Sequence, residues 1–212
     1  MRSHRTLPTL VFSATLVAAC AAPDAGDQDM GEAKSMEQIV EAPECYVARG
    51  TLEEVQARLS PLRQTEIGFE GGQGLLCYGA PSARGREIMG GLLVYGRLER
   101  IGANEPTTIH LTASASVGGV SLEPGSYSIY AIINKDEWEF FINSDWQRWG
   151  IPINAEVRAS EVGSFTATPT AIEEMVETLT YRWEPNAENT MGDIVLEWEH
   201  TQIRFHVRPD GM

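Results

Sequence analysis

Apolar and polar residues alternate with a period of two along much of this chain, the spacing that sends successive side chains to opposite faces of a strand. The clearest run covers residues 202–208, with Ile203, Phe205 and Val207 on one side and Arg204, His206 and Arg208 on the other. The same signal predicts strands at 65–69, 75–78, 107–113, 126–133, 138–143, 155–159, 178–184 and 194–199. Glycine and proline punctuate them, at Glu70-Gly71-Gly72-Gln73-Gly74, Val117-Gly118-Gly119 and Glu123-Pro124-Gly125. Short strands at close spacing form an antiparallel sandwich or a barrel-like domain rather than a βαβ sheet. One helix is predicted, over 51–59. Thr51 with Glu54 makes a capping box, Leu52, Val55 and Leu59 share a face, and Pro61 stops it. The expected fold is mainly β, with one short N-terminal helix.

The first residues follow another rule. Arg2 and Arg5 precede an apolar stretch from Leu7 to Ala18, and Val17-Ala18-Ala19-Cys20 matches the lipobox of a bacterial lipoprotein signal peptide. The stretch is too short to span a bilayer, which takes about 20 apolar residues. Residues 1–19 are therefore expected to be removed and Cys20 to carry lipid, holding the protein to a membrane. Ala21 stands where an aspartate would resemble an inner-membrane retention signal, so the expected location is the outer membrane, facing the periplasm. From residue 20 to 44 small and acidic residues dominate, with Lys34 the one cation. Such a composition buries too little apolar area to offset chain ordering and reads as a disordered tether. A single β-domain is expected over 45–212.

Charge narrows the partners. Losing Arg2 and Arg5 takes the net charge from −14 to −16, which disfavours nucleic acid and anionic head groups as general partners. Cys45 and Cys77 are the cysteines that remain after Cys20, and two thiols in an oxidising compartment are expected to form a disulfide. No spacing of histidines and cysteines points to a metal, and no cofactor is expected. Ser82 lies in Ala-Pro-Ser-Ala rather than in a nucleophile elbow. His110, His200 and His206 form no pair in sequence and are expected at the surface or at strand edges. Glu137, Glu139, Glu197 and Glu199 flank Trp138 and Trp198 in a way that mimics a sugar-cleaving pair, but alternation of this kind is also how a half-buried strand reads. Trp138, Trp183 and Trp198 are assigned to the core, and Trp146 and Trp149 to an exposed loop.

Within this acidic chain Arg84, Arg86, Arg97 and Arg100 create a local region of opposite sign. Guanidinium groups so placed clamp a carboxylate, sulfate or phosphate, or else brace a loop through the domain's own carboxylates.

Four blocks in order, GREIMGGLLVYGRLERIGANEPTTI, GVSLEPGSYSIYAI, EWEFFINSDWQRWG and LEWEHTQIRF, carry a resemblance to the bacterial family DUF2911, whose usual form runs like GRKIFGGLVPYGxxWRTGANEATTI, then LPAGxYSLF, then a tryptophan strand ending in Asn and a Trp-Gly pair. The similarity spans residues 75–207 and includes Arg86, Tyr95, Arg100, Asn104, Glu105, Trp138, Asn143 and Trp149. It departs at Val94, where the pattern has Pro, and at Glu99, where it has Trp, which removes an aromatic platform beside Arg100. The resemblance implies an exported β-domain and no assigned reaction.

Together these features point to a lipid-anchored envelope domain that binds a polar or anionic ligand without catalysis. The residues expected to hold the ligand are Arg84, Arg86, Arg100, Asn104, Glu105 and Trp149. The alternatives are an envelope enzyme of hydrolase type with a site not visible in sequence, and a structural or assembly lipoprotein.

Overall fold

Alternation along the chain becomes two antiparallel sheets packed face to face in the computed structural model, which describes residues 43–211. The lipobox, Cys20 and the acidic run as far as Ala42 lie outside the described residues. Six strands of the larger sheet lie in the order β1 (Leu62–Phe69), β2 (Gly72–Gly79), β4 (Thr107–Leu111), β7 (Gly125–Ile132), β8 (Trp138–Asn143) and β9 (Glu161–Ala167), and β3 (Leu98–Glu99) pairs with β7. The smaller sheet runs β10 (Thr170–Pro185), β11 (Gly192–Pro209), β5 (Ala115–Val117) and β6 (Val120–Leu122). Both sheets stay open, so the sandwich forms and the barrel-like closure does not.

The inner faces hold the core. Phe140 of β8 stacks on Phe165 of β9 with centroids 5.0 Å apart, and Phe205 of β11 meets both, at 5.4 and 5.1 Å. Trp138 and Trp198 are buried from either side. Full burial contributes about 1.5–3 kcal/mol for each large apolar side chain, so this layer outweighs any single polar contact described below.

The smaller sheet contains an irregularity that proves useful. The predicted strands at 194–199 and 202–208 are one strand, β11, whose first half pairs with β10 and whose last residues pair with β5. Between them Glu199 has φ +55 and the β10–β11 register shifts. A non-glycine residue in that region bears roughly 1–2 kcal/mol of strain. Glu199 recovers part of it by accepting the backbone N–H groups of Ile88 and Met89 at 3.2 and 3.3 Å, which pins the arginine-rich loop to the sheet.

Several expectations are corrected. Residues 155–159 are not a strand: α2 (Ala155–Arg158) is a helical turn, capped by the Asn154 side chain accepting from Val157 N–H. Asn ahead of Ala, Glu and Arg is a capping signal that outweighs a single alternation. The first helix, α1 (Leu52–Gln56), has its capping box, but only Val55 is buried. Leu52 and Leu59 remain 57% and 76% exposed, so the shared apolar face is absent. β9 was not foreseen, because Phe165 is the one side chain it buries. Trp183 is half-buried rather than in the core, and Trp146 and Trp149 are half-buried rather than exposed.

His110 departs furthest from expectation. It lies in β4, an inner strand of the larger sheet, and is buried. Because Ile109 and Leu111 face the core, His110 faces away from it, in a polar strip with Thr108, Ser128 and Asn143 that is itself buried. Its Nε2 is 2.9 Å from Thr108 Oγ1 and its Nδ1 is 2.7 Å from Ser126 Oγ. Asn143 donates to Val157 O and accepts from Asp145 N–H. Among the described residues every buried side-chain nitrogen and oxygen has a partner, as a buried strip requires.

What covers this strip is the segment leading into α1. Tyr46 meets Trp146 edge-on at 5.7 Å, and Trp146 meets His110 at 5.2 Å. The segment is tied at two points. Cys45 is bonded to Cys77 of β2, with Cα atoms 5.6 Å apart. Glu105, 3% exposed, accepts from Ala48 N–H at 3.2 Å and from Arg58 at 2.8 Å.

Two outcomes are expected. Replacing both Cys45 and Cys77 by alanine lowers the unfolding free energy by about 3–4 kcal/mol, read from urea denaturation, because the crosslink closes a loop of 32 residues. Burial holds the His110 imidazole below its ordinary pKa of 6.5. The unfolded chain therefore takes up the proton first, and the contribution of neutral His110 is complete above that value and declines as pH falls through it. The urea midpoint should drop between neutral and mildly acidic pH, and His110→Asn should flatten that dependence.

Candidate functional site

The loop between β2 and β4 carries the residues singled out in the sequence, and its own backbone fixes their positions. Ala83 N–H donates to Glu177 O, Gly96 N–H to Ile133 O and Gly90 N–H to Leu93 O. The bonds to Glu177 and Ile133, with the two to Glu199, attach the loop to both sheets, and the Gly90 bond closes a turn within it. Arg84 and Asn104 have φ +53 and +64, positions that open the chain where it reverses.

Arg86 and Arg100 line one cleft of about 250 Å³, together with Glu99, Leu92, Leu93 and the edge of the otherwise buried Trp198. Their bonds go to backbone carbonyls. Arg86 donates through Nε to Ala83 O at 2.9 Å and through Nη2 to Ser82 O at 2.8 Å. Arg100 donates through Nη1 to Asn104 O at 3.4 Å. A guanidinium has five N–H donors, so most of those on this pair have no partner among the described residues. Neither arginine forms a salt bridge there, although Glu99 stands close enough to favour the charged form of Arg100. Burial acts more strongly in the opposite direction and draws the Arg100 pKa below its ordinary value. A half-buried cation without a bound counter-ion is costly, and an anion in the cleft offsets that cost.

The remaining predicted residues lie elsewhere. Arg84 is exposed, donating to Leu59 O at 3.0 Å, and does not line the cleft. Asn104 supports Arg100 from behind: its carbonyl accepts from Arg100 and from Gly150 N–H, while its side chain donates to Ser60 O at 3.1 Å. Glu105 is paired with Arg58 and is a brace. Trp149 lies beneath Arg49, whose guanidinium carbon is 4.4 Å from the ring centroid. Three further residues bear on the cleft: Ser60, which has no signal in the sequence, Trp198, which the sequence assigns to the core and which also lines the cleft, and Glu199, which reads in sequence only as a carboxylate beside a tryptophan and whose role here depends on a kink inside a strand.

Other chemistries find little assembled. His110 faces outward from the larger sheet and His206 outward from the smaller one, on opposite sides of the sandwich. Glu197, beside Trp198, is held by Arg182 and Gln202, which draw its carboxyl below the ordinary range. Among the described residues no group of three or more His, Cys, Asp or Glu side chains is placed to hold a metal ion. Nor is any helix there long and apolar enough to cross a membrane.

Comparison with known proteins gives one relationship. No curated protein and no solved structure matches the chain. The model of a family described as a protein of unknown function, DUF2911, matches residues 60–207, from Ser60 in the lining of the cleft to Val207, the last core residue of β11. The chain is a member of the DUF2911 family.

Proposed function

We propose that this domain is an envelope lipoprotein that binds a small anionic ligand, a carboxylate or phosphate ester carrying an apolar part, in the cleft of Arg86 and Arg100. The observation that carries the reading is the pairing in one concavity of two guanidinium groups that have only carbonyl partners. In a chain of net charge −14, two arginines with no salt bridge among the described residues, sharing a cleft with the one carboxylate of Glu99, mark a place where an external anion completes the charge balance. Leu92, which is 42% exposed, and Leu93 supply an apolar wall for the rest of such a ligand. Glu99 at the same wall favours a ligand that also presents a hydroxyl or amine. Lipid on Cys20, the last residue of the lipobox, would hold this binding domain at a membrane surface.

Titration calorimetry at low salt with inorganic phosphate and hexyl phosphate tests the reading. Hexyl phosphate should bind more tightly, binding should weaken as salt rises, and Arg86→Ala with Arg100→Ala should cost about a hundredfold in affinity. Unchanged binding by that double variant would remove the cleft from consideration. In the producing cell, labelled palmitate should enter the wild-type protein and not a Cys20→Ala variant. Labelling that persists in the variant would overturn the anchor.

A further inference from the structure

A second and larger concavity lies away from the arginine cleft and shares no lining residue with it. It is a wedge of about 710 Å³ between the β1–β2 hairpin and the turn that joins β10 to β11. Two hydrogen bonds hold its sides together. Thr65 Oγ1 donates to Tyr181 O at 2.7 Å, and Glu70 N–H donates to Thr190 O at 2.8 Å. Between these points β1 forms no ladder with β10 or β11.

Register determines what the wedge presents. Phe69 opposite Gly72 across a two-residue turn makes Phe69, Ile67 and Thr65 the residues that exchange bonds with β2. The N–H and C=O of Gly68 and Glu66 therefore point off the edge of the sheet, and Glu70 N–H pointing the same way to reach Thr190 agrees with that alternation. At Gly68 nothing stands within 4 Å of where a Cβ would be, so the floor is open. Gln64, Glu66, Gln73 and Asn189 line the wedge with two-way amide groups and a carboxylate. Trp183 forms a half-buried wall. A Cβ at Gly192 would lie 2.7 Å from Trp183 Cζ2, so a side chain there would displace the indole from its place beside β11.

We infer that this wedge is a binding site for a neutral glycan chain. Sugar hydroxyls need donors and acceptors in mixed array, which amides and strand-edge backbone supply, and a carboxylate accepts from vicinal hydroxyls. The apolar face of a pyranose needs an aromatic plane, which Trp183 supplies. Charge selects against acidic polymers, because Glu66 is in the wedge and no lysine or arginine lines it. An extended peptide would use the same strand edge but would leave the amide and carboxylate side chains without purpose.

The test is amide NMR of the full chain titrated with maltohexaose, cellohexaose and chitohexaose, with an extended neutral peptide as contrast. At least one glycan should shift the Gly68, Gln73 and Trp183 indole N–H signals. Trp183→Ala should weaken that binding about tenfold. Gln73→Ala, on an exposed strand position that folding does not need, should weaken it about fivefold. The arginine double variant should bind as the wild type does, which separates this site from the anion cleft. Shifts from the peptide alone, no shifts from any of the three glycans, or full affinity in Gln73→Ala would each overturn the assignment.

Discussion

The two sheets meet across one continuous apolar core, at whose aromatic centre Phe140 and Phe165 from the larger sheet contact Phe205 from the smaller. Aromatic pairs at such spacing contribute beyond the area they bury. They also decide orientation: once these rings face inward, period two sends every alternate residue of their strands outward. The buried polar strip of Thr108, His110, Ser128 and Asn143 is the outward complement of the apolar core. It must be covered and hydrogen-bonded because of where the core lies, and the segment around Tyr46, the cystine and α2 answer that need.

Much of the fold was legible because it rests on alternation. β1, β2, β7, β8, the second half of β10 and β11 all bury two or more side chains on one face, and their pattern appears in the letters, whereas residues 170–177 of β10 bury none and do not read as strand. β9 buries only Phe165, and β5 and β6 have three residues each, so neither length nor period stood out. His110 shows the opposite failure. An imidazole between polar neighbours reads as surface, and only the covering segment makes it interior.

The arginine-rich region was legible by charge, and the cleft within it was not. Four arginines in an acidic chain mark a region, but which of them share a cavity depends on loop bonds to Glu177, Ile133 and Glu199, which come from distant strands. The left-handed backbone of Glu199 leaves no trace in the sequence, since no glycine or asparagine announces it. Glu105 and Trp149, read as ligand contacts, are occupied by Arg58 and Arg49.

The cystine has a mechanical consequence. Cys45 lies two residues into the described chain, and its bond leads directly into β2, between β1 and β4 in the larger sheet. A pull on the chain ahead of Pro43 thus bypasses the helix and β1 and loads the sheet interior through sulfur. The linkage makes Cys77, and not the start of β1, the residue at which such a load first meets the sheet.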